Sequence, residues 1–299
     1  MAVKNVSREK IQSVSSAVFH ANLENGSDEW LALRGRGIGG SDVASICGFS
    51  KWTSAYTLWA QKTGLVESNV EYSEPMEWGN RLEPVILDKF EHEHPELKVL
   101  RDVGTWSHPD REWQIANPDA VFEREDGTLG IIEVKTAAYE DDWRDGVPQY
   151  YETQVQWYLQ TFDFDFAYVV VLFHGNKYQE FELPANKFKQ EAALEKVEQF
   201  VQHWKDGVEP DFDGSKSTYE TVRRVHPEIN DDAEELGDLG VHYFNALDDY
   251  NKAEAEMLKL KSAVLAAMGH AKDGLVYGEK MVSRQARGNG TPYLVNRKG

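Results

Sequence analysis

Between residues 30 and 212 the apolar positions change period, from the three-to-four spacing of helices to the alternation and continuous runs of strands. Ser41-Asp42-Val43-Ala44-Ser45-Ile46-Cys47-Gly48 opens on a capping-type residue and closes on glycine, which predicts a short helix. Residues 78–94 predict a longer one. Four short strands follow over residues 105–107, 113–116, 120–124 and 129–136, with Pro109-Asp110 and Asp126-Gly127 as turns. A helix over 150–161, an apolar strand over 167–174, a hairpin partner over 178–183 turned at Gly175-Asn176, and an amphipathic helix over 188–204 complete the pattern. Helices flanking a run of strands predict an α/β fold, here an α/β/α sandwich on a central mixed sheet.

After Asp211-Phe212-Asp213-Gly214 the chain turns to Ser, Thr, Asp and Glu. The expected organisation is a core over 1–213 with an N-terminal helical segment, a linker over 214–240 and a C-terminal helical appendage over 241–299. A long helix ends near Met268, with Leu247, Tyr250, Met257, Val264 and Met268 as apolar positions. A basic, strand-like tail with Arg284, Arg287, Arg297 and Lys298 closes the chain.

Composition narrows the function. With 299 residues, 41% of them hydrophobic, the chain can bury a substantial core. The net charge of −19 argues against an indiscriminate nucleic-acid binder, because phosphate affinity comes from Lys and Arg; it leaves room for an enzyme acting on DNA. Cys47 is the one cysteine, which excludes a disulfide framework within the chain, a four-thiolate cluster and a Cys-rich zinc site. The first twenty residues, with Lys4 among them, carry no signal-type apolar run, and no stretch reaches the roughly 18 apolar residues that span a bilayer. The expectation is a cytoplasmic protein with no membrane association.

The densest chemistry lies in Asn117-Pro118-Asp119 and, after a turn, Ile131-Ile132-Glu133-Val134-Lys135-Thr136. Alternation along a strand puts Glu133 and Lys135 on one face and Ile132 and Val134 on the other. An acid at the end of the preceding strand comes beside Glu133, and two adjacent carboxylates are costly unless a hard cation lies between them. Asp119 and Glu133 would hold Mg²⁺ with the Val134 carbonyl as a third ligand, and Lys135 would face the attacking water or the scissile phosphate. An isolated E-x-K is ordinarily the solvated face of an edge strand. The preceding Pro-Asp, the hydrophobic strand and the downstream helix distinguish this one. Gly35-Arg36-Gly37-Ile38-Gly39-Gly40 fits G-x-G-x-x-G but follows a helix, so it reads as a flexible phosphate-facing loop instead of a dinucleotide fingerprint.

Pro118-Asp119 with Glu133-Val134-Lys135 resembles the PD-(D/E)xK nuclease signature, and Gln154-Val155-Gln156-Trp157-Tyr158 resembles the Q-x-x-x-Y element of its RecB-like branch. Trp30-Leu31-Ala32-Leu33-Arg34, Ile38-Gly39-Gly40-Ser41-Asp42-Val43 and Trp78-Gly79-Asn80-Arg81-Leu82-Glu83-Pro84 are similar to the YqaJ-type phage recombination exonucleases, the group of lambda exonuclease. The resemblance implies Mg²⁺, two ions during catalysis with Mn²⁺ as a substitute, and 5′-to-3′ digestion of linear duplex DNA to mononucleotides. It implies Glu83 near the metals, Gln154 supporting the carboxylate and water network, Arg34 and Ser41 on the 5′-terminal phosphate, and Tyr151 and Tyr158 as DNA or neighbouring contacts. Asn117 stands where the family representative has Ser, and its amide can still donate to phosphate. Further implications are double-stranded DNA ends as substrate, a homo-oligomeric ring with a trimer favoured, a single-strand annealing protein as partner and the cytoplasm of a bacterial host. A structure- or sequence-specific endonuclease of the same fold, and a non-catalytic DNA-end-binding module, remain as alternatives.

Overall fold

The computed structural model describes residues 6–23, 26–67 and 73–296; Lys4, Arg297 and Lys298 lie outside them. The chain divides into two compact units, Met1–Glu228 and Ile229–Gly299.

The first unit begins with α1 (Arg8–Val14), β1 (Val18–Ala21), α2 (Asp28–Gly35), α3 (Gly40–Ile46) and α4 (Ala55–Lys62). Next come α5 (Glu74–Glu93), β2 (Lys98–Arg101), β3 (Thr105–His108), β4 (Arg111–Ala116), β5 (Ala120–Glu123) and β6 (Leu129–Ala137). It ends with α6 (Gln149–Phe162), β7 (Phe166–Phe173), β8 (Lys177–Pro184), α7 (Lys187–Asp206) and α8 (Lys216–Val225). α5 starts four residues before the expected helix because Ser73 precedes it and Pro75 suits a first turn, where no amide hydrogen is needed.

The central sheet has the order β2-β5-β6-β7-β8. β6 and β7 are parallel and joined through α6, while the other neighbours are antiparallel, so the sheet is mixed as expected. β6 is buried along its first six residues, as a central strand covered on both faces must be. One face carries Ile132, Val134 and Val170 against Ile86, Leu87 and Phe90 of α5. The other carries Ile131, Val169 and Val171 in a larger cluster with Val155 and Leu159 of α6. Glu133 and Lys135 share the parity of Ile131 and therefore face α6.

Two expectations need correction. β3 and β4 leave the central sheet and pair with β1 in a separate antiparallel sheet, β1-β3-β4, because Trp106 of β3 is fully buried between Phe19 and Phe162. The stretch expected to be a linker contains α8, and the first unit extends to Glu228. The Ser and Thr residues there look solvated in sequence but satisfy one another in the interior. Thr57 Oγ1 lies 2.8 Å from Thr221 Oγ1 and 2.9 Å from Ser217 Oγ, and Thr218 donates to Ser54 Oγ at 2.7 Å.

The second unit consists of α9 (Gly237–Met268), β9 (Asp273–Val276), β10 (Glu279–Gln285) and β11 (Tyr293–Asn296), the strands forming an antiparallel sheet β11-β10-β9. The long helix starts four residues before the expected position. No residue of α9 is buried.

Candidate active site

Asp119 sits at the entrance to β5. The β5–β6 ladder ends at Ala120–Ile132, and the Asp119 carboxylate takes the next amide, Oδ2 accepting from Val134 N–H at 2.7 Å. That bond fixes Asp119 against β6, opposite the strand segment that carries Glu133 and Lys135. Glu133 is 2% exposed. Its Oε1 accepts from Lys135 Nζ at 2.6 Å and from Gln154 Nε2 at 2.6 Å, while Oε2 is buried with no hydrogen-bond partner among the described residues.

α6 supplies the lid of this group. Gln154 Oε1 accepts from Lys135 Nζ at 3.4 Å, and its amide nitrogen also donates to the Tyr158 hydroxyl at 3.1 Å, one turn further on. Lys135 Nζ lies 4.8 Å from the centre of the Tyr151 ring, which packs on Trp143 and, at 6.4 Å, on exposed Trp52. Glu83, half-buried on α5, completes the set from the other side.

The electrostatics are those of crowded acids. Burial, then the charge of Asp119, pushes the Glu133 carboxyl up to about 8. The same two causes raise Glu83 to about 7, and burial raises Asp119 despite the Lys135 charge and the Val134 amide. Burial would lower Lys135, but the charges of Glu133 and Asp119 outweigh it and hold the ammonium protonated. A buried carboxylate oxygen without a donor carries a desolvation cost, and a cation removes it. Among the described residues no three or more His, Cys, Asp or Glu side chains converge as a ready-made cage. Asp119 and Glu133, with the Val134 carbonyl expected from the sequence, could hold a hard cation; Mg²⁺ would be suited to so few carboxylates, because it keeps waters and takes substrate phosphate oxygens alongside one or two of them.

A second group adjoins the first. Arg34 of α2 donates to Ser41 Oγ, lies 3.7 Å from Asp42 and has its guanidinium 4.9 Å from the Trp30 ring centre. Ser41 is exposed in the first turn of α3. The glycines expected to make a flexible loop instead permit close packing. A Cβ on Gly40 would fall 2.6 Å from Tyr158 Cε1 and 2.8 Å from Gln154 Cγ, and one on Gly37 would fall 2.3 Å from Ile115 Cδ1. Gly40 thereby seats α3, and with it Ser41, directly on the α6 turn that holds Glu133. The amide nitrogen of Asn117 donates to Thr105 Oγ1, which spends one of its hydrogens on tying β3 to the site rather than on a phosphate.

Sequence reasoning missed Lys62, whose ammonium donates to the Gly37 carbonyl at 2.6 Å and lies 3.4 Å from Asp42, locking the loop that carries Arg34 and Ser41. Its last-turn position in α4 gives no local sign of this partner. Trp52, stacked edge-on against Tyr150 at 5.2 Å, was likewise unmarked.

Residues 29–165, all within the first unit, match the YqaJ-like viral recombinase domain. YqaJ of Bacillus subtilis strain 168 is 33% identical over 231 residues, covering 72% of this chain and 68% of that protein. Protein D345L of African swine fever virus is 26% identical over 162 residues, 46% of each chain. Among solved structures, an alkaline exonuclease from Laribacter hongkongensis superposes with a TM-score of 0.51 at 19% identity, covering 67% of this chain and 99% of that one. At that identity the likeness establishes the fold alone, an α/β architecture on a mixed central sheet. Together, the domain match and the Bacillus relative place the chain in the YqaJ-like viral recombinase family.

Proposed function

We propose that this protein is a Mg²⁺-dependent exonuclease that digests linear double-stranded DNA from its 5′ ends, releases mononucleotides and leaves 3′ single strands for recombination by strand annealing. The observation that carries the reading is the unpartnered Oε2 of Glu133. Lys135 and Gln154 both occupy Oε1, which leaves the second oxygen, beside Asp119, for a cation. Family membership and the likeness to an alkaline exonuclease support the same chemistry.

When bound, Mg²⁺ supplies positive charge that offsets charge building on the phosphoryl oxygens and the leaving oxygen. Asp119, Glu133 and the Val134 carbonyl would hold it. Lys135 keeps its proton, orients Glu133 and steers the attacking water towards phosphorus. Glu83 on the opposite wall holds that water by hydrogen bonding, and Gln154 keeps the Glu133 carboxylate in one orientation, with Tyr158 fixing Gln154 in turn. Arg34 offers a planar fork to the 5′-terminal phosphate, with Ser41, Asn117 and Tyr151 as further contacts along the strand. The substrate is a DNA end. A homotrimeric ring around the duplex, with basic residues towards the DNA and acids outward, reconciles the charge of −19 with that substrate, and a single-strand annealing protein would receive the product strand in the host cytoplasm.

The test is digestion of a linear duplex labelled at either its 5′ or its 3′ ends, with and without 5′ phosphate, compared with a covalently closed circle. Early Mg²⁺-dependent release of the 5′ label as mononucleotide, faster with 5′ phosphate, is expected. Cutting of the closed circle would instead make the protein an endonuclease, and no digestion with Mg²⁺ or Mn²⁺ would make it a binding module.

A further inference from the structure

α9 is 32 residues long, and none of them is buried, although much of the helix is apolar. A helix of that length in water is stabilised chiefly by packing one face against something. A seven-residue repeat runs through its apolar residues, with Val241, Phe244, Leu247, Leu258 and Leu265 standing outside it. Leu236, Tyr243, Tyr250, Met257 and Val264 recur at intervals of seven, and three residues after each stand Leu239, Ala246, Ala253, Leu260 and Ala267. A heptad kept this long is the seam of a coiled coil, which asks for another helix in preference to a sheet or a membrane surface. Tyr243 and Tyr250 are each 62% exposed and Leu239 70%, so the seam is open along its length.

The sizes of the seam residues identify the other helix. The first heptad position is large throughout, two of the five being tyrosine; the second is alanine at three of five. In a parallel pair each position meets itself, so tyrosines would crowd tyrosines and the alanine layers would be left hollow. In an antiparallel pair first positions meet second positions. One register then sets Tyr243 against Ala253 and Tyr250 against Ala246 of the other helix, with Leu236 against Leu260 and Met257 against Leu239. Each aromatic ring lies over an alanine, and the two-fold axis passes at Asp248, between Leu247 and Asp249. The register ends before Met268, whose sulphur lies 3.3 Å from where a Cβ on Gly274 would stand and so already packs on the sheet of its own unit. Charge agrees at the two ends of this register, where Lys259 and Lys261 come level with Asp238 and Glu235 of the other copy, while Asp248 and Asp249 lie at its middle.

We propose that α9 pairs with α9 of a second copy of this chain as an antiparallel two-stranded coiled coil, a two-fold interface separate from whatever contacts the nuclease units make. The proposal does not depend on the enzymatic reading.

Two measurements on the full-length protein test it. In sedimentation, Tyr250→Asp combined with Met257→Asp is expected to halve the molar mass of the assembly, whereas Ala255→Asp, on the outer face, leaves it unchanged. In cross-linking, protein carrying Tyr243→Cys mixed with protein carrying Ala253→Cys is expected to form a disulfide-linked dimer on oxidation that neither forms alone. Efficient cross-linking of Tyr243→Cys with itself would make the pairing parallel and overturn the register. A natural protein whose mass is the same as that of the double aspartate variant would show that the seam does not join copies, and the assignment would fall to a helix of another protein.

Discussion

Both units contain a lysine gripping a carboxylate at short range, and the two pairs differ in how far they are withdrawn from water. Lys135 and Glu133 lie 2.6 Å apart with side chains 17% and 2% exposed. Lys252 and Asp248 on α9 lie 2.5 Å apart with side chains 67% and 64% exposed. In water the second pair gains little over its separate hydration, because solvent screens both charges. The first is held inside a sheet face, where the neighbouring Asp119 and Glu83 cannot be screened and one carboxylate oxygen stays unpartnered. Burial, rather than residue identity, makes this E-x-K the candidate site, and the first unit can provide it because two apolar clusters enclose its sheet.

Breaking each pair sharpens the contrast most. Lys135→Ala is expected to lower mononucleotide release by about 10³-fold, the scale of losing one preorganised charged donor, while Lys252→Ala leaves the rate unchanged. At the level of stability, Phe122→Ala removes a fully buried ring from the α5 side and is expected to cost about 3–5 kcal/mol in urea unfolding. Tyr277→Ala, fully exposed in the second unit, should fall within about 0.5 kcal/mol of the natural protein.

A smaller effect separates the buried hydroxyl cluster from its exposed counterpart. Thr221→Val deprives Thr57 Oγ1 of one partner and is expected to cost about 1–3 kcal/mol, whereas Ser262→Ala on α9 is neutral by the same measurement. The smallest concerns an ion pair of intermediate exposure. Burial alone would lower the His94 imidazole, but hydrogen bonds and charge from Glu180 and Glu96 outweigh it and raise it. A raised folded-state value means that the stabilisation is complete below the ordinary histidine pKa and fades as pH rises through the raised one. His94→Gln should therefore destabilise by less than about 1 kcal/mol at acidic pH and make no difference at alkaline pH, read from paired unfolding curves.

The elements near the site are legible in sequence because their signals are local. Alternation in Ile131-Ile132-Glu133-Val134-Lys135 sets which side chains share a face, and the spacing of Gln154 and Tyr158 puts both on one side of a helix, where the structure joins them to Glu133. What escaped depends on partners far along the chain. Thr218 and Thr221 have the composition of a linker until Ser54 and Thr57, more than 160 residues earlier, receive them. Gly37 and Gly40 match a loop pattern while acting as spacers against Ile115 and Tyr158. Lys62 is an ordinary helix-end lysine except for Gly37 and Asp42. β3 and β4 have strand character that sequence can show, but which sheet they join is decided by the burial of Trp106.

The central claim is that the unpartnered oxygen of Glu133 belongs to a divalent cation, and direct Mn²⁺ binding tests it without any turnover. Calorimetric or paramagnetic titration of the natural protein against Glu133→Gln, with circular dichroism to confirm that both are folded, is the measurement. Saturable binding by the natural protein, weakened by about 10- to 100-fold or more in the variant, is the predicted result. Equal binding by the two folded proteins would contradict it.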